Sequence, residues 1–204
     1  MRALTTAIFG GVLAIALTPD AAVAGSFERG VDAYSRGDYA VAVGLWRPLA
    51  ESGDPASQHN LGVVYRDGEG VARDHAEAAK WFELAAGQGN ADSQTSLGIL
   101  YYDGLGVPWN HVEAAKWFRR AADRGDAVAQ NNLGVMYTLG DGVARDLLKT
   151  HMWFSLAASR FPPGKDRDKA LSARDMTAAQ MTPAEIAEAK KLAREWKPRG
   201  EGAE

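Results

Sequence analysis

Leu61-Gly62-Val63-Val64-Tyr65, Leu97-Gly98-Ile99-Leu100-Tyr101 and Leu133-Gly134-Val135-Met136-Tyr137 repeat one pattern at a spacing of 36 residues. Each is followed by a Gly-x-Gly-Val loop and then by a Trp-Phe pair: Trp81-Phe82, Trp117-Phe118 and Trp153-Phe154. A period of this length belongs to a solenoid, in which one helical hairpin cannot bury its own apolar face and must stack on a neighbour. Such proteins act through extended surfaces, so function is sought on a face before it is sought in a catalytic motif.

Each unit reads as two helices. Asp54, Asn90 and Asp126 are N-caps of the first, with Pro55 at the first helical position of the opening unit. Leu61, Val64 and Tyr65 share its apolar face at helical spacing. Gly68, Gly104 and Gly140 suit left-handed C-terminal caps. Asp74 with Glu77, and Asn110 with Glu113, have the spacing of capping boxes for the second helix, while Lys149 breaks that pattern after Asp146. In residues 25–53, Tyr34, Gly37-Asp38-Tyr39-Ala40 and Trp46 resemble a degenerate tetratricopeptide-like hairpin without the long loop, with Pro48 expected to kink its second helix. Residues 54–160 hold three full repeats. Phe161-Pro162-Pro163-Gly164 ends the periodicity, and residues 161–197 supply two capping helices, expected over about 165–179 and 183–197. Residues 198–204 are expected to be a disordered tail.

These residues resemble the Sel-one-like repeat (SLR) family, relatives of tetratricopeptide repeats. The resemblance rests on Ala/Ser-Gln-x-x-Leu-Gly-x-x-Tyr, the Gly-x-Gly-Val loop, an Asp or Asn three residues after that Val, and Ala-x-x-Trp-Phe-x-x-Ala-Ala. It implies an all-α, right-handed α-α solenoid of stacked hairpins serving as a protein-interaction scaffold. One cysteine-rich branch of the family is linked to penicillin binding and hydrolysis. That branch's cysteines are missing here, and no Ser-x-x-Lys is present.

The chain has 204 residues, 46% of them apolar, and a formal net charge of −3. This charge gives no reason to expect nucleic acid. There are no cysteines, so stability is expected from stacked helices without disulfides or thiolate metal sites. The first 24 residues read as a secretory signal: Arg2, an apolar run over residues 7–17, a Pro19-Asp20 break, and small residues at Ala22 and Ala24. The run is too short to span a bilayer, so cleavage after Ala24 and no stable membrane insertion are expected. The mature protein is then periplasmic or secreted.

Candidate chemistry is sparse. Gly68-Glu69-Gly70-Val71 lacks the strand and third glycine of a dinucleotide loop and the Gly-Lys-Ser/Thr of a P-loop. His75 and His111 occupy equivalent helix starts, and no metal-ligand spacing appears. Ser57, Ser93 and Ser96 fall inside a helix without a nucleophile elbow. No catalytic residue, metal or cofactor is therefore assigned. The tryptophans of the Trp-Phe pairs fill packing positions, whereas Trp109 replaces Arg73 and Arg145 and is free to act as a contact residue.

The informative positions are those that the repeat does not dictate. On each first helix a second stripe faces the expected concave side: His59, Val63 and Arg66; Thr95, Ile99 and Tyr102; Asn131, Val135 and Thr138. The reading is a non-catalytic scaffold holding a peptide, loop or helix of an envelope protein in that groove, with apolar residues for affinity and polar ones for specificity. The alternatives are a cell-wall- or β-lactam-directed hydrolase and a polysaccharide or peptidoglycan binder using Trp109. Lys190, Lys191, Arg194, Lys197 and Arg199 near the last helix read as a solvated face, with anionic lipid or polymer as the functional alternative.

Overall fold

The structure is a computed structural model that describes residues 19–198, with side chains described from Gly25 onward. Residues 1–18 of the expected signal and residues 199–204 of the expected tail, including Arg199, lie outside the described residues. Within them are ten α-helices and no strand: α1 (Pro19–Ser35), α2 (Tyr39–Glu51), α3 (Pro55–Asp67), α4 (His75–Gly87), α5 (Ala91–Asp103), α6 (His111–Asp123), α7 (Ala127–Leu139), α8 (Leu147–Arg160), α9 (Lys165–Ala178) and α10 (Pro183–Glu195). The helices stack as hairpins, α1 to α9 each packing on the next in sequence, and α10 passes over α9 to pack on α8. The expected cleavage point after Ala24 falls within α1. The last two helices end one and two residues earlier than their spacing implies, a shift common at frayed termini. The α2 helix runs three residues beyond Pro48.

Local chemistry starts and stops each helix. Asp54, Asn90 and Asp126 accept from the backbone N–H three residues on, at 2.7, 2.8 and 2.6 Å. Gly68, Gly104 and Gly140 close the first helices at φ 78°, 68° and 82°, a region that a side chain would strain. The capping boxes expected at Asp74 and Asn110 are only half formed. Their side chains do cap the second helix, but Glu77 and Glu113 turn away to Lys80 and Lys116, at 2.9 and 2.6 Å. The cause is that the cap N–H groups are already used: those of Asp74 and Asn110 donate to the carbonyls of Tyr65 and Tyr101, at 2.8 and 2.9 Å. A complete box forms at Thr182 and Glu185.

Within a hairpin, the glycine of each Leu-Gly pair lets a phenylalanine ring lie on the helix. A Cβ on Gly62, Gly98 or Gly134 would stand 2.5, 2.7 or 2.7 Å from the ring of Phe82, Phe118 or Phe154. Between hairpins, the buried amides of Gln58, Gln94 and Gln130 reach back eight residues to the carbonyls of Ala50, Ala86 and Ala122, at 3.0, 3.0 and 3.1 Å. The second glycine of each loop sits on the preceding unit. A Cβ there would meet the backbone of Tyr39, His75 or His111 at 2.7 Å or less, which accounts for Gly70, Gly106 and Gly142. The tryptophans seal the same junctions. Trp81 and Trp117 are half-buried against the preceding unit's cluster, and Trp153 is fully buried. The repeat motif is therefore accounted for by stacking.

Candidate functional site

The first helices α3, α5 and α7, flanked by α1 and α9, line a row of three cavities. One of about 270 Å³ lies among Val31, Tyr34, Trp46, His59, Asn60 and Val63. The next, of about 310 Å³, is bounded by Ile99, Tyr102, Asp103, Phe118, Asn132, Val135 and Met136. Val135 is shared with a third of about 190 Å³, whose walls include Thr138, Leu139, Phe154, Met176, Thr177 and Gln180. The walls are mostly apolar, and repeat packing leaves them unfilled.

The structure divides the stripe read from sequence. His59, Val63, Ile99, Tyr102, Val135 and Thr138 line these cavities, and Arg66, Thr95 and Asn131 do not. Much of the polar set is already engaged. The His59 Nδ1 lies 2.8 Å from Ser93 Oγ in the next unit, and Thr95 donates to the Asp126 carboxylate at 2.9 Å. Tyr102 donates to Asp141 at 2.8 Å, and Thr138 to the Gly134 carbonyl at 2.8 Å. Arg66 grips Asp67 with two bonds of 2.8 Å. Val63 and Ile99 also pack on clusters that join the second helix of their own unit to the first helix of the next, so they seal junctions while lining cavities.

Electrostatics follow burial. Burial pushes the His59 imidazole below its ordinary range, with nearby Asp92 opposing the shift and Arg66 adding to it. The same cause lowers His151, which is 2% exposed. The hydrogen bonds from Arg66 hold the Asp67 carboxyl low. The approach of His59 to Ser93 has the outline of a base and a nucleophile, but Ser93 is fully buried. No group of three His, Asp or Glu side chains among the described residues is arranged to hold a metal ion, and no described helix is long and apolar enough to cross a membrane.

Trp109 is 67% exposed on the loop between α5 and α6. Its ring lies 4.5 Å from His111, which stacks on Tyr102 at 4.3 Å, so it is the outer member of a row of rings ending at the central cavity. Sequence reasoning missed Asn60, Asp103, Asn132, Leu139 and Met176. The signal was present in the helical period: positions 60, 63 and 67 lie three and four residues apart, a stripe rotated one position from the one chosen.

Three repeats match the model of the Sel1 repeat, at residues 55–90, 91–126 and 127–160. No curated protein matches the chain. Among solved structures, a Sel1 repeat protein from Oxalobacter formigenes aligns at 25% identity over 89% of this chain and 91% of that one, with a TM-score of 0.65. A protective antigen present in uropathogenic Escherichia coli strains, which displays an SLR fold, aligns at 25% identity and a TM-score of 0.59. That alignment covers 85% of this chain but only 45% of the antigen's. Matching repeats over more than half its length, a hairpin solenoid and these neighbours agree: the chain belongs to the Sel1 repeat family.

Proposed function

We propose that this Sel1-repeat scaffold is an exported, non-catalytic binding protein that holds a peptide, loop or helix of an envelope partner against the face of its first helices. The observation carrying this is the row of unfilled, mostly apolar cavities along α3, α5 and α7, of which the second and third share Val135. Elsewhere the repeat's distinctive residues are occupied with stacking. Interfaces of this kind take side-chain anchors in successive pockets, with polar groups setting register. Export rests on the character of residues 1–24.

The test blocks the second and third cavities without disturbing the core. Asn132→Arg and Leu139→Arg together place long side chains at the walls of the second and third cavities, from half-buried and exposed positions. Cross-linking capture from an envelope extract is expected to recover a partner with the wild type and to lose it with the double variant. Helical ellipticity should be unchanged between the two. Equal recovery by the folded variant refutes the groove as the binding site.

A further inference from the structure

The three repeats treat one spot differently. At the end of α3, Asp67 is held by Arg66, whose Nε and Nη2 each lie 2.8 Å from a carboxylate oxygen. Arg73, a loop residue, adds a positive field there. One repeat later the three positions read Tyr102, Asp103 and Trp109. The aspartate is retained and both guanidinium partners have become aromatic. Neither α5 nor α7 contains a Lys, Arg or His, so no replacement comes from the neighbouring first helix.

The Asp103 carboxylate accordingly has no hydrogen-bond or ion-pair partner among the described residues. It is the last residue of α5, where the negative end of the helix dipole disfavours a carboxylate. Stability gives no reason for it. It also lines the central cavity beside Ile99 and Val135. Tyr102 does not neutralise it, because the phenol donates to Asp141 and stacks on His111. Asp103 is thus a bare carboxylate at the rim of an apolar pocket, with aromatic residues in the two positions where unit one has arginines.

Resting on the groove reading above, we infer that the occupant is a peptide segment carrying an arginine next to an apolar anchor. The guanidinium pairs with Asp103, replacing the intramolecular one that Arg66 supplies to Asp67, and the anchor enters the Ile99–Val135 cavity. A guanidinium matches a carboxylate with two parallel bonds and stacks on aromatic faces. Lysine fits the charge and lacks the fork.

The experiment pans a phage-displayed library of random dodecapeptides in parallel on the immobilised wild-type chain, on Asp103→Asn and on the cavity-blocked Asn132→Arg/Leu139→Arg variant. Peptides selected by the wild type are expected to be enriched in arginine adjacent to Leu, Ile, Met or Phe. The best of them should lose about tenfold in affinity when its arginine is replaced by citrulline. On Asp103→Asn the citrulline and arginine peptides should bind within about twofold of each other, since only the charge pair has gone. Cavity-dependent peptides with no arginine enrichment, or an arginine preference that survives Asp103→Asn, overturn this proposal and leave the groove standing. Selection identical on the cavity-blocked variant overturns both.

Discussion

Replacing glycine by alanine in a helix normally stabilises it, and this fold makes opposite predictions for two such sites. Gly44 lies inside α2 with nothing within 4 Å of an added Cβ. Gly44→Ala should therefore gain about 0.5–1 kcal/mol from helix propensity. Gly98 lies inside α5, and its Cβ would stand 2.7 Å from Cδ1 and from Cε1 of Phe118, about 1 Å inside normal carbon contact. Phe118 is 2% exposed and shares a core cluster with Ala114, Leu133 and Met136, so the ring can yield only towards the central cavity that it borders. Relief requires the ring to turn into that cavity or α5 and α6 to part, an overpacking cost of about 1–3 kcal/mol, against which the propensity gain of about 1 kcal/mol is set. Gly98→Ala should gain nothing and be destabilised by up to about 2 kcal/mol, and Gly98→Ala/Phe118→Leu by less than the sum of the two single changes. Urea denaturation followed by ellipticity measures both. If Gly98→Ala stabilises as Gly44→Ala does, the glycine does not serve the phenylalanine and the account of the Leu-Gly motif is wrong.

Two further outcomes follow from side-chain contacts and a third from the sequence of residues 1–24. The folded-state pKa of His59 lies below the ordinary 6.5, so an unfolded chain takes up a proton that the folded one resists. Its contribution is complete above about pH 6.5 and is lost as the pH falls from there towards the folded value. His59→Gln should flatten the acid side of the stability profile, though not abolish the slope, because His151 is shifted the same way. Trp196 is covered by the Arg160 guanidinium at 4.6 Å and meets Trp153 edge-on at 6.3 Å, so Trp196→Ala should cost about 2 kcal/mol and speed hydrogen exchange in α8. A cost indistinguishable from zero would mean that α10 does not cap the array. Mass spectrometry of protein recovered from outside the cytoplasm should show a chain beginning at Gly25; retention of residues 1–24 would contradict export by a cleaved signal.

The repeat was legible because each of its residues answers a local demand that recurs every 36 positions. A left-handed cap needs Gly104 wherever the hairpin turns, and an N-cap needs Asn90 wherever a first helix starts. Contacts between units were harder to read. Nothing local to Gln94 says that its amide belongs to the Ala86 carbonyl, and nothing local to His59 points to Ser93. The half-formed boxes have the same origin. The spacing of Asp74 and Glu77 was sufficient, but the chain folding back from Tyr65 had taken the donor first. Pattern reading treats a motif in isolation, and a solenoid is built from what adjacent motifs take from each other.

That dependence explains why the candidate site came out rotated. A stripe chosen for its variable polar residues selected His59, Thr95 and Tyr102, and these vary because each meets a different partner in the next unit. Variation among internal repeats marks either adaptation to a neighbour or freedom to meet a ligand, and one helix cannot distinguish the two. The stacked structure can, because it reveals which variable groups are left over. His59 and Thr95 are taken. Among the described residues Asp103 is unpaired, at the wrong end of a helix dipole and at a position where the preceding repeat supplies its own arginine. The informative departure is therefore an aspartate kept from one repeat to the next whose surroundings have changed, and the partner inferred for it is a guanidinium supplied by a bound peptide.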